Sequence, residues 1–181
     1  MRVLVDTNIL LRSAQPNHPQ SSQATLSVSR LIRQGDALFF RSQNIAEFWN
    51  VATRTADKNG IGLSHEETLR EVSSIEGLLT LLPDIPAIYT AWKAVVRDYQ
   101  VQGVKVYDAR PVALMNVYAI EGILTFNDAD FRRYGNITAI HPSSAIARRD
   151  SATIRQDSET GDQFWEDSGS RGAGGHLRSG W

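Results

Sequence analysis

The chain has 181 residues, with 19 Lys and Arg against 20 Asp and Glu, and no cysteine. The missing cysteines exclude disulfides, zinc–thiolate centres and cysteine nucleophiles, and they fit a reducing compartment. A composition of 41% apolar and 22% charged residues predicts one globular core that needs no covalent staple. The net charge of −1 offers no general basic surplus to a nucleic acid, so any such contact must rest on local patches.

Arg2–Val5 is a short apolar run that stops at Asp6-Thr7-Asn8, the pattern of a buried strand followed by a polar turn. Asp6 cuts the run short of the roughly 7–15 apolar residues of a signal peptide. No other stretch approaches the roughly 20 residues of a membrane span. The expectation is a soluble, cytoplasmic protein.

A helix begins near Ile9 and breaks around Pro16 and Pro19; a second is predicted over Ser21–Arg33, closed by Gly35. Ala37–Phe40 reads as a second strand. Gln43–Lys58 has helical period, with Ile45, Phe48, Trp49 and Ala52 on one face and Asn59-Gly60 as its stop. Ser64 and Glu67 form a capping box that opens a helix reaching about Gly77. Further along, Leu78–Leu82 is a strand, Ile85–Tyr99 a helix, Asp108–Ile120 a helix, Ile123–Thr125 a strand and Asp128–Tyr134 a short helix. Ile137–Ile140 is the last strand, with Pro142 just beyond.

This alternation predicts βαβ units, and hence an α/β fold with a central, mainly parallel sheet between two helical layers, over residues 1–146. Residues 147–181 turn rich in Ser, Gly, Asp and Arg, and their few apolar side chains show no period. That composition predicts a flexible tail.

Four acids recur at one kind of place. Asp6 ends the first strand; Glu47, Asp108 and Asp128 fall at later helix starts. In a parallel sheet these points lie along the C-terminal edge, where ligands bind. Each acid also has an ordinary explanation: Asp6, Asp108 and one acid of Asn127-Asp128-Ala129-Asp130 as helix caps, and Glu47 as the third residue of a capping box headed by Asn44. Four converging carboxylates repel one another unless cations bind among them, and such a cluster suits metal-assisted phosphoryl transfer.

Three stretches, in this order, resemble the PIN-domain family and its VapC-like toxin ribonucleases: Val3-Leu4-Val5-Asp6-Thr7-Asn8, Ser42–Asn50 and Val106–Tyr134. The resemblance covers nearly all of residues 1–142. It implies a three-layer α/β/α sandwich and an endoribonuclease using Mg²⁺ or Mn²⁺ held by Asp6, Asp108 and Asp128, with Glu47 completing the acidic group. Thr7 and Asn8 would orient the carboxylates, and Asp130 would stand close by. An RNA substrate, a cognate antitoxin protein and a homodimer are also implied. Pro111, just after Asp108-Ala109-Arg110, departs from the usual pattern, and the tail matches nothing in it. Arg110, beside Asp108, is the arginine expected to meet an RNA phosphate.

Competing readings are fewer. Haloacid-dehalogenase phosphatases carry a second aspartate where this chain has Asn8, and no Gly-x-Gly-x-x-Gly turn or P-loop is present. The rival that survives is a PIN fold without catalysis that binds RNA or a protein. The four histidines show no ligand spacing.

Overall fold

The computed structural model describes residues 1–148, so the expected tail lies almost wholly outside the described residues. Five strands form one sheet: β1 (Arg2–Val5), β2 (Ala37–Arg41), β3 (Thr80–Leu82), β4 (Gly122–Leu124) and β5 (Thr138–Ile140). Their order is β3-β2-β1-β4-β5, and every neighbouring pair is parallel. Eight α-helices accompany them among the described residues: α1 (Thr7–Ser13), α2 (Ser21–Arg33), α3 (Ser42–Thr53), α4 (His65–Leu78), α5 (Pro86–Asp98), α6 (Ala109–Tyr118), α7 (Asp128–Phe131) and α8 (Pro142–Ala147).

Successive strand residues point to opposite faces, so one strand feeds two cores. Val3, Val5, Leu38 and Phe40 pack with Ile9, Ala24, Leu31 and Phe48 from α1–α3. Leu4, Phe39 and Ile123 face the other way, onto Val95, Val112 and Met115 from α5 and α6. Burial on both faces is why these strands read as continuous apolar runs instead of alternating ones. The three-layer sandwich expected from the sequence is the fold observed.

Several boundaries differ from expectation for local reasons. Helix α3 ends at Thr53, five residues before Lys58. The chain doubles back there: the N–H groups of Ile61, Leu63 and Gly62 bond the carbonyls of Val51, Ala52 and Arg54 at 2.8–2.9 Å. These bonds satisfy the helix's last acceptors, and a 3₁₀ turn (Ala56–Lys58) with left-handed Asn59 makes the reversal. On α2 the fully buried positions are Ala24, Ser27 and Leu31, while Leu26 and Ile32 face solvent. Gly35 closes that helix as expected, at φ 79°. Its N–H bonds Ile32 and that of Asp36 bonds Leu31, a Schellman ending. The short helix α8 was not anticipated, although Pro142 is well placed to open it.

Candidate active site

Strand order reverses between β1 and β4: β2 and β3 continue on one side of β1, while β4 and β5 lie on the other. Beyond the carboxyl end of such a switch point a crevice opens for ligand. Asp6 stands there. Its N–H bonds the Leu124 carbonyl of β4 at 3.0 Å, which fixes the turn across the switch.

The Asp6 carboxylate caps α1, accepting from the Thr7 N–H at 2.8 Å. Its other oxygen accepts from Asn8 Nδ2 at 2.8 Å and from Thr125 Oγ1 at 2.7 Å. All three donors are neutral. Burial pushes Asp6 above the usual carboxylate range, with the Thr125 and Thr7 bonds and the charge of Arg41 acting against that rise. The capping explanation for Asp6 is thus correct, and it leaves a half-buried acid with no cation in direct contact.

Glu47 joins Asp6 through Thr7, whose Oγ1 donates to Glu47 Oε2 at 2.5 Å and accepts from Asn44 Nδ2 at 2.8 Å. The expected capping box headed by Asn44 is not what forms. Arg41 is the N-cap of α3, and Asn44 is the third residue, its Oδ1 accepting from the Arg41 N–H at 2.9 Å. Because the helix starts three residues earlier than that box requires, Glu47 is released from capping and meets the first residue of α1.

Asp108 sits at the N-cap of α6 without a side-chain capping bond. It pairs instead with Lys105 Nζ at 3.3 Å, and Lys105 also holds Asp130 at 2.7 Å. Pro111 is accommodated, fully inside the first turn of an unbroken helix. Asp128 lies on α7 and is bound by Arg132 at 2.5 Å, which holds its carboxyl below the ordinary range. Asn8 completes the wall, its Oδ1 accepting from the Phe126 N–H at 3.2 Å.

The residues therefore fall into three groups: Asp6 with Glu47, Thr7 and Asn8; Asp108 with Asp130; and Asp128 with Arg132. Among the described residues no three His, Asp or Glu side chains gather closely enough to hold a metal ion.

Arg41 is the residue whose importance the sequence understated. It ends β2 as Asp6 ends β1, and the same signal, a charge closing an apolar strand, was there to find it. It is buried, with an NH2–Glu47 Oε1 separation of 3.9 Å. Its Nε has no hydrogen-bond partner among the described residues. Burial lowers its basicity, while Glu47 and Asp6 support its charge. Arg110, the arginine favoured by position, is more exposed and lies 4.0 Å from Asp84.

A parallel sheet covered by helices on both faces defines an α/β protein of three layers. The PIN domain model matches residues 3–137, and the chain belongs to the PIN domain family. The solved structures similar to it include VapBC2 of Rickettsia felis bound to a promoter DNA fragment, with 13% identity, TM-score 0.57, and 78% of this chain and 98% of that one covered. VapBC-1 of nontypeable Haemophilus influenzae has 16% identity and TM-score 0.57, covering 79% and 99%. VapC20 of Mycobacterium tuberculosis, a toxin that cleaves the sarcin–ricin loop, has 16% identity and TM-score 0.53, covering 75% and 96%. At these identities the likeness is one of fold. No curated protein matches the chain in sequence. No helix among the described residues is long and apolar enough to cross a membrane.

Proposed function

We propose that the chain is a metal-dependent endoribonuclease of the VapC kind, the toxin of a toxin–antitoxin pair. The observation that carries this reading is Asp6, a half-buried carboxylate at the switch point with three neutral hydrogen-bond donors. A charge drawn partly out of water favours a counter-charge, and hard oxygen donors suit Mg²⁺ or Mn²⁺.

In this reading Asp6, Asp108 and Asp128 would hold the ion, with Glu47 completing the acidic group. When bound, the ion supplies Lewis acidity and lowers the pKa of water at the scissile phosphate. The donor chemistry fits. Two of the three acids are held by exposed partners, Lys105 and Arg132, which an ion can displace because solvent-exposed pairs are weak. Thr7 and Asn8 fix the orientation of Glu47 and Asp6. Glu47, with 42% of its side chain exposed, accepts a proton from the attacking water. Arg41 and Arg110 supply positive charge to the RNA backbone.

The relatives named VapBC are complexes, which supports a cognate antitoxin, and a homodimer is part of the same proposal. One observation favours a second reading, a non-catalytic module that binds RNA or protein: Asp108, Asp128 and Asp130 are each neutralised by a basic side chain. Purified protein incubated with mixed RNA, in Mg²⁺ or Mn²⁺ and in chelator, separates the two. Cutting that needs metal and disappears in Asp6→Asn and Asp108→Asn is the expected result. Intact RNA in every condition, from folded protein, selects the binding module.

A further inference from the structure

A second concavity, of about 650 Å³, lies between α5 and the segment that leads into α6. That volume suits a small organic ligand. Its walls are aromatic. Tyr89 and Trp92 stack with centroids 6.1 Å apart, and Trp92 is locked by its Nε1 donating to the Val106 carbonyl at 3.0 Å. Tyr107 is 75% exposed and Tyr89 62%, an unusual presentation for two large rings on one cleft.

Charge accompanies the rings. Arg110 lines the cleft, and Lys93 Nζ sits 4.9 Å from the Tyr89 ring centroid. The mouth also carries one well-held acceptor. Ser42 donates to Asp84 Oδ2, while Asp84 Oδ1 is 4.0 Å from Arg110, beyond hydrogen-bond length, and keeps its acceptor capacity.

The cleft adjoins the helix that carries Glu47: Ser42, the first residue of α3, bonds Asp84 at its mouth. Tyr107 and Arg110 flank Asp108 in sequence. Arg41, the residue before Ser42, lies 3.9 Å from Glu47. Aromatic faces with interleaved cations are how single-stranded nucleic acid is held: bases stack on the rings and phosphates meet the cations.

We propose that this cleft is a nucleobase pocket, in which an unpaired RNA base stacks on Tyr107 and Tyr89 and presents hydrogen-bond donors to Asp84. The proposal rests on the nuclease reading for its substrate class and adds the specificity determinant. Guanine is the base expected, since its N1–H and N2–H₂ offer two adjacent donors to one carboxylate.

The test is a binding measurement in chelator, so that it does not depend on cleavage. Fluorescein-labelled octauridylate probes with A, C, G or U at a central position are titrated with the full chain and followed by anisotropy. The G probe should bind several-fold more tightly than the other three. Tyr89→Ala/Tyr107→Ala should weaken it roughly tenfold or more, from the loss of stacking, whereas Tyr107→Phe should bind like the parent. Asp84→Asn should retain binding and lose the preference for G.

Equal affinity for all four probes overturns the proposal, as does parental affinity in the double alanine variant. So does a parent dimer that the double variant converts to monomer with RNA affinity unchanged, which would make the cleft an interface between two copies. A protein that discriminates the probes yet cuts no RNA keeps the pocket and loses the nuclease; one that cuts RNA without discrimination does the reverse.

Discussion

Thr7 Oγ1 donates to Glu47 Oε2 at 2.5 Å while accepting from Asn44 at 2.8 Å. One hydroxyl thereby couples the turn after β1 to the first two turns of α3. Thr7→Val removes it at constant shape, leaving the buried Asn44 amide without its acceptor and Glu47 with only the Gln43 side chain as donor. An unsatisfied buried polar group costs about 1–3 kcal/mol. The urea midpoint should fall by a corresponding amount with the slope unchanged. Thr7→Ser should restore most of the loss, and a Thr7→Val midpoint equal to the parent's would show that the coupling carries no stability.

Asp6 yields a pH prediction of defined sign. Its folded pKa is raised, so between the unfolded value and that raised value the native chain holds a proton the unfolded chain has released. Stability is then greatest below this window and falls as pH rises through it. A divalent ion requires the ionised carboxylate, so its effect runs the opposite way. At neutral pH, saturating Mn²⁺ should raise the melting temperature by about 5–10 °C, an effect that shrinks at acid pH and vanishes on chelation. Asp6→Asn should abolish the ion's effect. A shift that persists in this variant would place the ion elsewhere.

Lys105 bridges Asp108 and Asp130, and the two acids raise its own pKa, so it stays charged through the neutral range. It competes with any metal for Asp108. Lys105→Gln should therefore lower the Mn²⁺ concentration for half-maximal binding in calorimetry by roughly two- to fivefold, the worth of an exposed pair. The advantage should diminish at high salt. Weaker binding in the variant would mean that Lys105 supports the metal-bound arrangement.

Much of the fold was legible because its signals are local. The runs Val3–Val5 and Leu38–Phe40 are buried on both faces, and the Ser64–Glu67 cap forms as the sequence implied. What escaped was set by distant pairing. The end of α3 depends on Gly60 approaching Arg54, and the start of α3 on Asn44 serving both Arg41 and Thr7. Asp6, Asp108 and Asp128 were legible as positions at the ends of elements, whereas Glu47 proves to be the sixth residue of α3. Their present partners were not, because Lys105 and Arg132 reach them through long flexible side chains whose placement no periodicity encodes. Arg41 escaped notice, since its burial comes from β2 lying between β1 and β3.

Two glycines give matched, opposite predictions. A Cβ on Gly60 would lie 1.8 Å from the Arg54 carbonyl oxygen, a backbone atom that cannot step aside. Gly60→Ala must therefore open the reversal that satisfies the carbonyls of Val51, Ala52 and Arg54, at a cost of about 1–3 kcal/mol. Gly77 lies in α4 with nothing within 4 Å of its added Cβ. There, Gly77→Ala reduces the freedom of the unfolded chain and should stabilise by about 0.4–1 kcal/mol. Denaturant unfolding of the two variants beside the parent should bracket it, Gly60→Ala below and Gly77→Ala above. Because Gly60 anchors the end of the helix that carries Glu47, amide exchange in Gly60→Ala should rise at Ile61–Leu63, where the reversal bonds are made. Unchanged protection there would show that the loop tolerates the methyl group by a rearrangement that leaves α3 intact.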